Sequence, residues 1–395
     1  MGRRGFLALL AVVVTAAVAL GQAVELRVLM EPDGRGVWRE VFEEFHRRNP
    51  DIRVRPVEGP ASTDVREDLY VNSLLAGSRD FDLVYADTIW IPKFAAAGWL
   101  ADLTDRWPAE KWAEFSEAAL EGGTYRGRIY RVPTQLNGGI LYFRKDLLDR
   151  LGVSPPRTYE ELEKISQSAD SPQTAFVWQG KQYEGLTCNF LEVLRGHGGF
   201  WIENGEVGLD RPEAEKALEF LRRSVGTISP AGVTTYAEEE SRLLFQSGRA
   251  LFLRNWPYVS NLLAREKPGF EVGIAPLPAP TFGGAGFAIV QSSPAQEAAW
   301  RFLEFVSSPE TVQLLYERGG VQPARKAFYE TTKDPRQKDL YDALRLVKPR
   351  PALPQYAQAS DILQRQVSAA LTGQKTPREA LRQAARETRR LLGQP

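Results

Sequence analysis

The residues of this chain whose types and places could do chemistry are carboxylates, amides, guanidinium groups and aromatic rings. A neutral sugar offers a C–H surface that stacks on a flat aromatic face, and hydroxyls that pair with carboxylates, amides or guanidinium groups. Both kinds of partner stand at the ends of predicted elements. Glu31 closes the first predicted strand and Asp87 follows a strand predicted over 82–85, which puts both carboxylates on one edge of one sheet. Arg66 opens the second predicted helix, Asn137 lies on a polar stretch between two extended ones, and Trp256 sits in the proline-ended loop Arg254-Asn255-Trp256-Pro257-Tyr258. Arg350 and Tyr356 fall within the proline-rich run KPRPALPQY.

Reaction chemistry has fewer supports. His46 and His197 are the only histidines, and neither has a second ligand at metal-binding spacing, so no metal site is expected. No GxxxxGK[ST] loop occurs, which assigns any ATP hydrolysis to another polypeptide. Gly284-Ala285-Gly286 lacks the third glycine of a dinucleotide fingerprint and precedes a strand, so no nucleotide cofactor is expected. A glycosidase needs only two carboxyl groups flanking a bond, and that alternative stays open.

The elements that must position these residues alternate. A strand over 25–30 is followed by a turn at Pro32-Asp33-Gly34 and by a helix carrying Val37, Trp38, Val41, Phe42 and Phe45 on one face. Strand 52–57, helix 64–76 and strand 82–85 complete a βαβαβ order, which predicts a parallel α/β sheet with its ligand at the carboxyl ends of the strands. Extended stretches at 129–133 and 141–143 flank the polar 134–139. Helices are predicted over 159–166, 212–224 and 238–245, and after a strand at 287–290 the last third reads as helical. No internal repeat or long linker is present.

At 395 residues the chain exceeds the size of one core, so two domains are expected. Fifty basic residues balance fifty acidic ones, which removes the electrostatic footprint of a nucleic-acid partner and favours a neutral ligand. Arg3 and Arg4 precede an apolar run over 6–20, too short for a span of about 20 residues, so an export peptide over 1–23 is expected. GRRGFL is also similar to a twin-arginine signal. Cys188 is the only cysteine, so no intramolecular disulfide can form, and no lipobox cysteine follows the apolar run. The mature protein is therefore expected free in a periplasm-like space.

Taken in order, VFEEFHRRNPDIRV, DFDLVYADTIWIPKFAAAGWLADLTD, GRIYRVPTQLNGGILYFRKDLL, LFQSGRALFLRNWPY, FGGAGFAIV and KPRPALPQYAQASDILQ resemble the sugar-binding proteins of ATP-binding-cassette importers. The resemblance is to the maltose-binding class, nearest its trehalose, sucrose and glucosylglycerol binders, and spans essentially the whole mature chain. It implies a two-lobed, type II periplasmic-binding-protein (Venus-flytrap) α/β fold with three hinge crossings, near 133–139, 283–287 and 322–326. One lobe would comprise 24–133 plus 287–322, the other 139–282 plus 326–395. It implies a non-enzymatic monomer that closes on a small α-glycoside and delivers it to membrane permease subunits served by a separate ATPase. By position, Asp87, Asn137, Trp256 and Arg350 would contact the ligand, joined by Glu31, Arg66, Glu238 and Tyr356. At Gly284 the chain departs from the pattern: many relatives follow Gly-Gly with an aromatic, whereas Gly283-Gly284 precedes Ala285. The missing platform favours a smaller or more polar guest, unless Trp90 or Trp201 supplies the face. A binder of a non-sugar solute on the same plan is the remaining alternative.

Overall fold

The computed structural model describes residues 23–34, 36–168 and 174–394; the expected export segment lies outside them except for its last residue. The chain opens with β1 (Val24–Met30), whose Leu26, Val28 and Met30 are buried. Helix α1 (Val37–Arg48) buries the five-residue apolar face that its spacing predicts. Strand β2 (Ile52–Glu58), helix α2 (Thr63–Leu75) and strand β3 (Leu83–Asp87) follow. Both β2 and β3 run parallel to β1, so all three strands point their carboxyl ends the same way.

The chain then makes a short edge strand β4 (Val132–Pro133), a two-residue strand β5 (Asn137–Gly138), and β6 (Ile140–Arg144) in a second sheet. That sheet is completed by β7 (Thr174–Val177), β8 (Ala250–Asn255) and β9 (Val272–Pro276) in the order β9-β6-β8-β7. Helices α3 (Glu184–Gly196), α4 (Pro212–Ser224) and α5 (Glu238–Gln246) lie between these strands in sequence. Strand β10 (Phe282–Gly283) and β11 (Ala285–Ile289) then return to the first sheet, whose order is β2-β1-β3-β11-β4.

The sequence predicts a parallel first sheet, and its first three strands are parallel; β11 is antiparallel to β3 and β4. The reason is where β11 begins. It enters from the second sheet, at the edge where β1 and β3 finish, and so must run away from that edge while they run towards it.

The passages between the sheets lie side by side. β5 pairs antiparallel with β10, Asn137 opposite Gly283, and Gln135 bridges to Pro323 while the Leu136 amide donates to the Gln322 carbonyl at 2.9 Å. Arg325 donates through Nε to the Ser307 carbonyl, and the helix Lys326–Thr331 follows. The chain ends in α6 (Tyr356–Leu371) and α7 (Pro377–Leu391), which pack on each other and on α3 and α4. Thr376 and Glu379 form a reciprocal capping box that starts α7. Among the described residues no helix is long and apolar enough to cross a membrane.

Candidate ligand-binding cleft

The carboxyl edge of the first sheet faces the second lobe across a cavity of about 270 Å³. Because β1 and β3 are parallel neighbours, Glu31, just past β1, and Asp87, the last residue of β3, reach the same wall. Arg66 joins them from α2; Asn137 and Gly284 come from the hinge ribbon; Glu184, Glu238, Trp256 and Arg350 come from the second lobe. Eight of the nine residues singled out by sequence thus line one cavity. Tyr356 does not: it is 1% exposed and lies behind the wall, where its hydroxyl donates to Glu184 Oε1 at 2.6 Å.

The charges in this cavity are largely spoken for. Arg350 donates through Nη2 to Asp87 Oδ1 and through Nη1 to Glu184 Oε1, both at 2.7 Å, so one guanidinium ties carboxylates from opposite lobes. Burial opposes its charge, yet Asp87 and the neighbouring groups outweigh it and hold the guanidinium well above its ordinary range. Ser360 completes the cluster by donating to Glu184 Oε2 at 2.6 Å. Arg66 donates to the carbonyls of Pro60 and Ala61 at 2.7 Å each and approaches Glu31 at 3.4 Å. Both cations on the described wall therefore have carboxylate partners, although Nε of each is buried without a hydrogen-bond partner.

Two further acids, Asp64 and Glu67, stand on α2 beside Arg66. Burial, with the charges of Glu184 and Asp87, pushes the Asp64 carboxyl up to about 6. Burial also lifts Glu67 to about 7, although Lys93 Nζ sits 2.6 Å away and opposes the shift.

Trp256 is fixed from several sides. Its indole N–H donates to Glu238 at 3.1 Å, and its carbonyl accepts the Tyr142 hydroxyl at 2.9 Å. The Arg254 guanidinium lies 4.0 Å from the ring centroid and is itself clamped by Glu192, through Nε at 2.8 Å and Nη2 at 2.6 Å, in a pair whose side chains are each 1% exposed. One face of the indole thus rests on a neutralised cation. Gly283 lets the ring sit where it does, since a Cβ there would come within 3.2 Å of it. At Gly284 a positive φ of 155° and the nearness of Phe282 and the Gln135 carbonyl exclude a side chain, while its own carbonyl accepts from Thr88 and Arg131. Asn137 accepts the Gly138 amide through Oδ1, which leaves its NH₂ group without a partner among the described residues.

On the hinge side of Trp256 the cleft continues into a second chamber of about 280 Å³ that shares Glu31, Gln135, Asn137 and Trp256 with the first. Cys188, on α3, is 2% exposed on the wall of the first chamber, and burial raises its thiol far above the ordinary range.

Trp90 and Trp201 do not supply the missing stacking face. They are 1% and 2% exposed and belong to the core, Trp90 against Tyr70 and Phe94 and Trp201 against Tyr356. The hub residue Glu184, the Glu192–Arg254 clamp and Gln322 were not singled out by sequence. For the two glutamates a signal existed: they stand eight residues apart in the otherwise largely apolar run EGLTCNFLEVL, which predicts buried partners for both. Among the described residues no group of three or more His, Cys, Asp or Glu could hold a metal.

The family model of bacterial extracellular solute-binding proteins matches residues 31–313. A probable ABC transporter-binding protein of Deinococcus radiodurans is 31% identical over 369 residues, covering 86% of this chain and 87% of the relative. Among solved structures, maltose-bound MalE3 of T. maritima is 38% identical with a TM-score of 0.84, covering 93% of this chain and all of that one (100%). A solute-binding protein of Thermotoga lettingae bound with α-D-tagatose is 25% identical with a TM-score of 0.82, covering 94% and 100%.

Proposed function

We propose that this chain, which belongs to the bacterial extracellular solute-binding protein family, captures a small α-glycoside of the maltose, trehalose, sucrose or glucosylglycerol kind and hands it to a permease. It is the binding component of an ABC transporter and not an enzyme. The maltose held by the T. maritima relative and the tagatose held by the T. lettingae protein support a sugar or polyol as guest.

The observation that carries the reading is the composition of the central chamber. Carboxylates from both lobes, the Asn137 amide and the Trp256 indole meet there, while Arg66 and Arg350 are already neutralised by Glu31, Asp87 and Glu184. Hydroxyls can pair with such acceptors, and the C–H face of a sugar can lie on the indole. An anionic solute would meet carboxylates without an unmatched cation on the described wall.

The lobes we assign are 24–133 with 287–322 and 139–282 with 326–395, closing about three adjacent passages. A guest that touches both lobes favours the closed state, because only closure completes its contacts. The permease then reads closure, and a separate ATPase drives release. In this reading Asp87, Asn137, Trp256, Glu31, Arg66, Glu238 and Arg350 touch or frame the guest, Gly284 keeps the wall open beside Ala285, and Tyr356 buttresses Glu184. Export through an N-terminal signal and action as a periplasmic monomer complete the proposal.

A thermal-unfolding scan with maltose, trehalose, sucrose, glucosylglycerol and tagatose tests it. At least one should raise the melting temperature; no shift from any of them, beside a shift from a phosphate ester or an oligopeptide, would overturn the choice of sugar.

A further inference from the structure

Helix α7 buries Ala380, Leu381, Ala384, Ala385 and Thr388 and carries five arginines on its remaining surface, Arg378, Arg382, Arg386, Arg389 and Arg390. Its only acids are Glu379 and Glu387, so the helix holds a net three positive charges in a chain whose charges balance at fifty each. Both acids are engaged elsewhere: Glu379 closes the capping box with Thr376, and Glu387 accepts from Gln383 at 2.7 Å and from Arg365 at 3.4 Å. Arg378 pairs with Glu215 and Arg389 with Asp210. That leaves Arg382, Arg386 and Arg390, all exposed and none with an ion pair or a side-chain hydrogen bond among the described residues. Their spacing of four sets them in one row about 12 Å long. Like charges at that spacing repel, so the row works against the helix that bears it. None of the described exposed large apolar side chains lies on α7, so the row lacks the apolar centre of a protein–protein interface. It fits a surface of spread negative charge.

We propose that the row Arg382, Arg386 and Arg390 is a docking surface for anionic phospholipid headgroups, which holds the protein reversibly at the membrane where its transporter works. The binding component of an ABC transporter delivers its solute to such a membrane. A basic amphipathic helix that inserts needs a free apolar face, whereas that of α7 is packed on α6 and α4, so the contact is electrostatic and peripheral. Each arginine near an anionic surface strengthens binding about fivefold, and three together about a hundredfold. None of the three lines either chamber of the cleft, so the docking surface is independent of which solute is carried.

The test is cosedimentation of the full chain with vesicles of phosphatidylglycerol mixed into phosphatidylcholine, and with vesicles of phosphatidylcholine alone, at about 0.1 M and about 1 M salt. The apolar run over 6–20 would favour both kinds of vesicle, so the readout is the difference between them. The expected result is a preference for the anionic vesicles that disappears at the higher salt. The combined change Arg382→Gln, Arg386→Gln and Arg390→Gln should reduce the preference about a hundredfold, and each change alone about fivefold. Lysine at the same three positions should keep it within about twofold. The ligand-free melting temperature of the glutamine variant should be unchanged or higher, because repulsion along the row has been removed. The inference is overturned if the unaltered chain binds both kinds of vesicle alike, if the glutamine variant keeps the preference, if the lysine variant loses it, if the higher salt leaves it in place, or if it falls only together with the melting temperature. Capture by immobilised polyglutamate without a preference for anionic vesicles assigns the row to an acidic protein partner and overturns the inference as well. Vesicle binding needs no solute, so its failure and a failure of the sugar reading are told apart.

Discussion

Arg350 joins carboxylates of opposite lobes while 2% of its side chain is exposed, which makes it the residue whose loss is felt most widely. Arg350→Ala strands Glu184 and leaves Asp87 without its cation, and breaking a buried pair from one side costs about 3–5 kcal/mol. Urea unfolding should show that loss; a midpoint like that of the unaltered protein would mean water screens the cluster. Trp256→Ala acts differently, because the indole is half-buried and faces the cleft. It should weaken sugar binding by about tenfold, from the lost stacking face, with little change in ligand-free stability, as titration beside a melting curve can establish. At this scale much of the candidate site was legible. Glu31 and Asp87 could be placed from strand ends, and Trp256 from a proline-ended loop. Glu238 came only from the family resemblance. Glu184 and Glu192 were hidden because a helix buried along its whole first stretch reads as core, and Gln322 because a lone amide carries no pattern.

Helix α2 holds Asp64 beside Glu184 and Glu67 beside Lys93, and burial lifts the two carboxyls to about 6 and about 7 from ordinary values of 3.8 and 4.5. A carboxyl raised in this way favours the folded state only while it is protonated. Its contribution is full below about pH 4 and is lost as pH rises through 6 to 7. Asp64→Asn should therefore gain stability relative to the unaltered protein between pH 4 and pH 8, on the order of 2 kcal/mol. Paired unfolding curves at the two pH values check this, and an offset independent of pH would count against it. The elements themselves were unevenly readable. Helix α1 shows its face through three- and four-residue spacing, and β1 to β3 alternate with helices. By contrast β8 is buried at all six positions, so its residues ALFLRN show no period that separates strand from helix. The antiparallel course of β11 follows from where a long-range passage delivers the chain, which local sequence does not encode.

For the molecule as a whole, three passages run side by side, so in the proposed closure the lobes would turn about one narrow ribbon and not about a single flexible joint. The bound sugar should draw the lobes together and lower the radius of gyration in solution scattering, by an amount that disappears in Arg350→Ala if that residue is needed for closure. Saturation at a hundredfold excess over Kd should add about 2.7 kcal/mol of stability. The two-lobed plan was not legible from hydrophobic periodicity; it came from the order of six segments spread along the chain, because the residues that make one lobe are interrupted by those that make the other. The place of Cys188 has a practical consequence. If the lobes close over a guest as proposed, this lone sulfhydryl makes the protein its own occupancy gauge: an alkylating reagent should reach it only when the jaws part, and a captured sugar should slow that reaction without any dye or introduced residue.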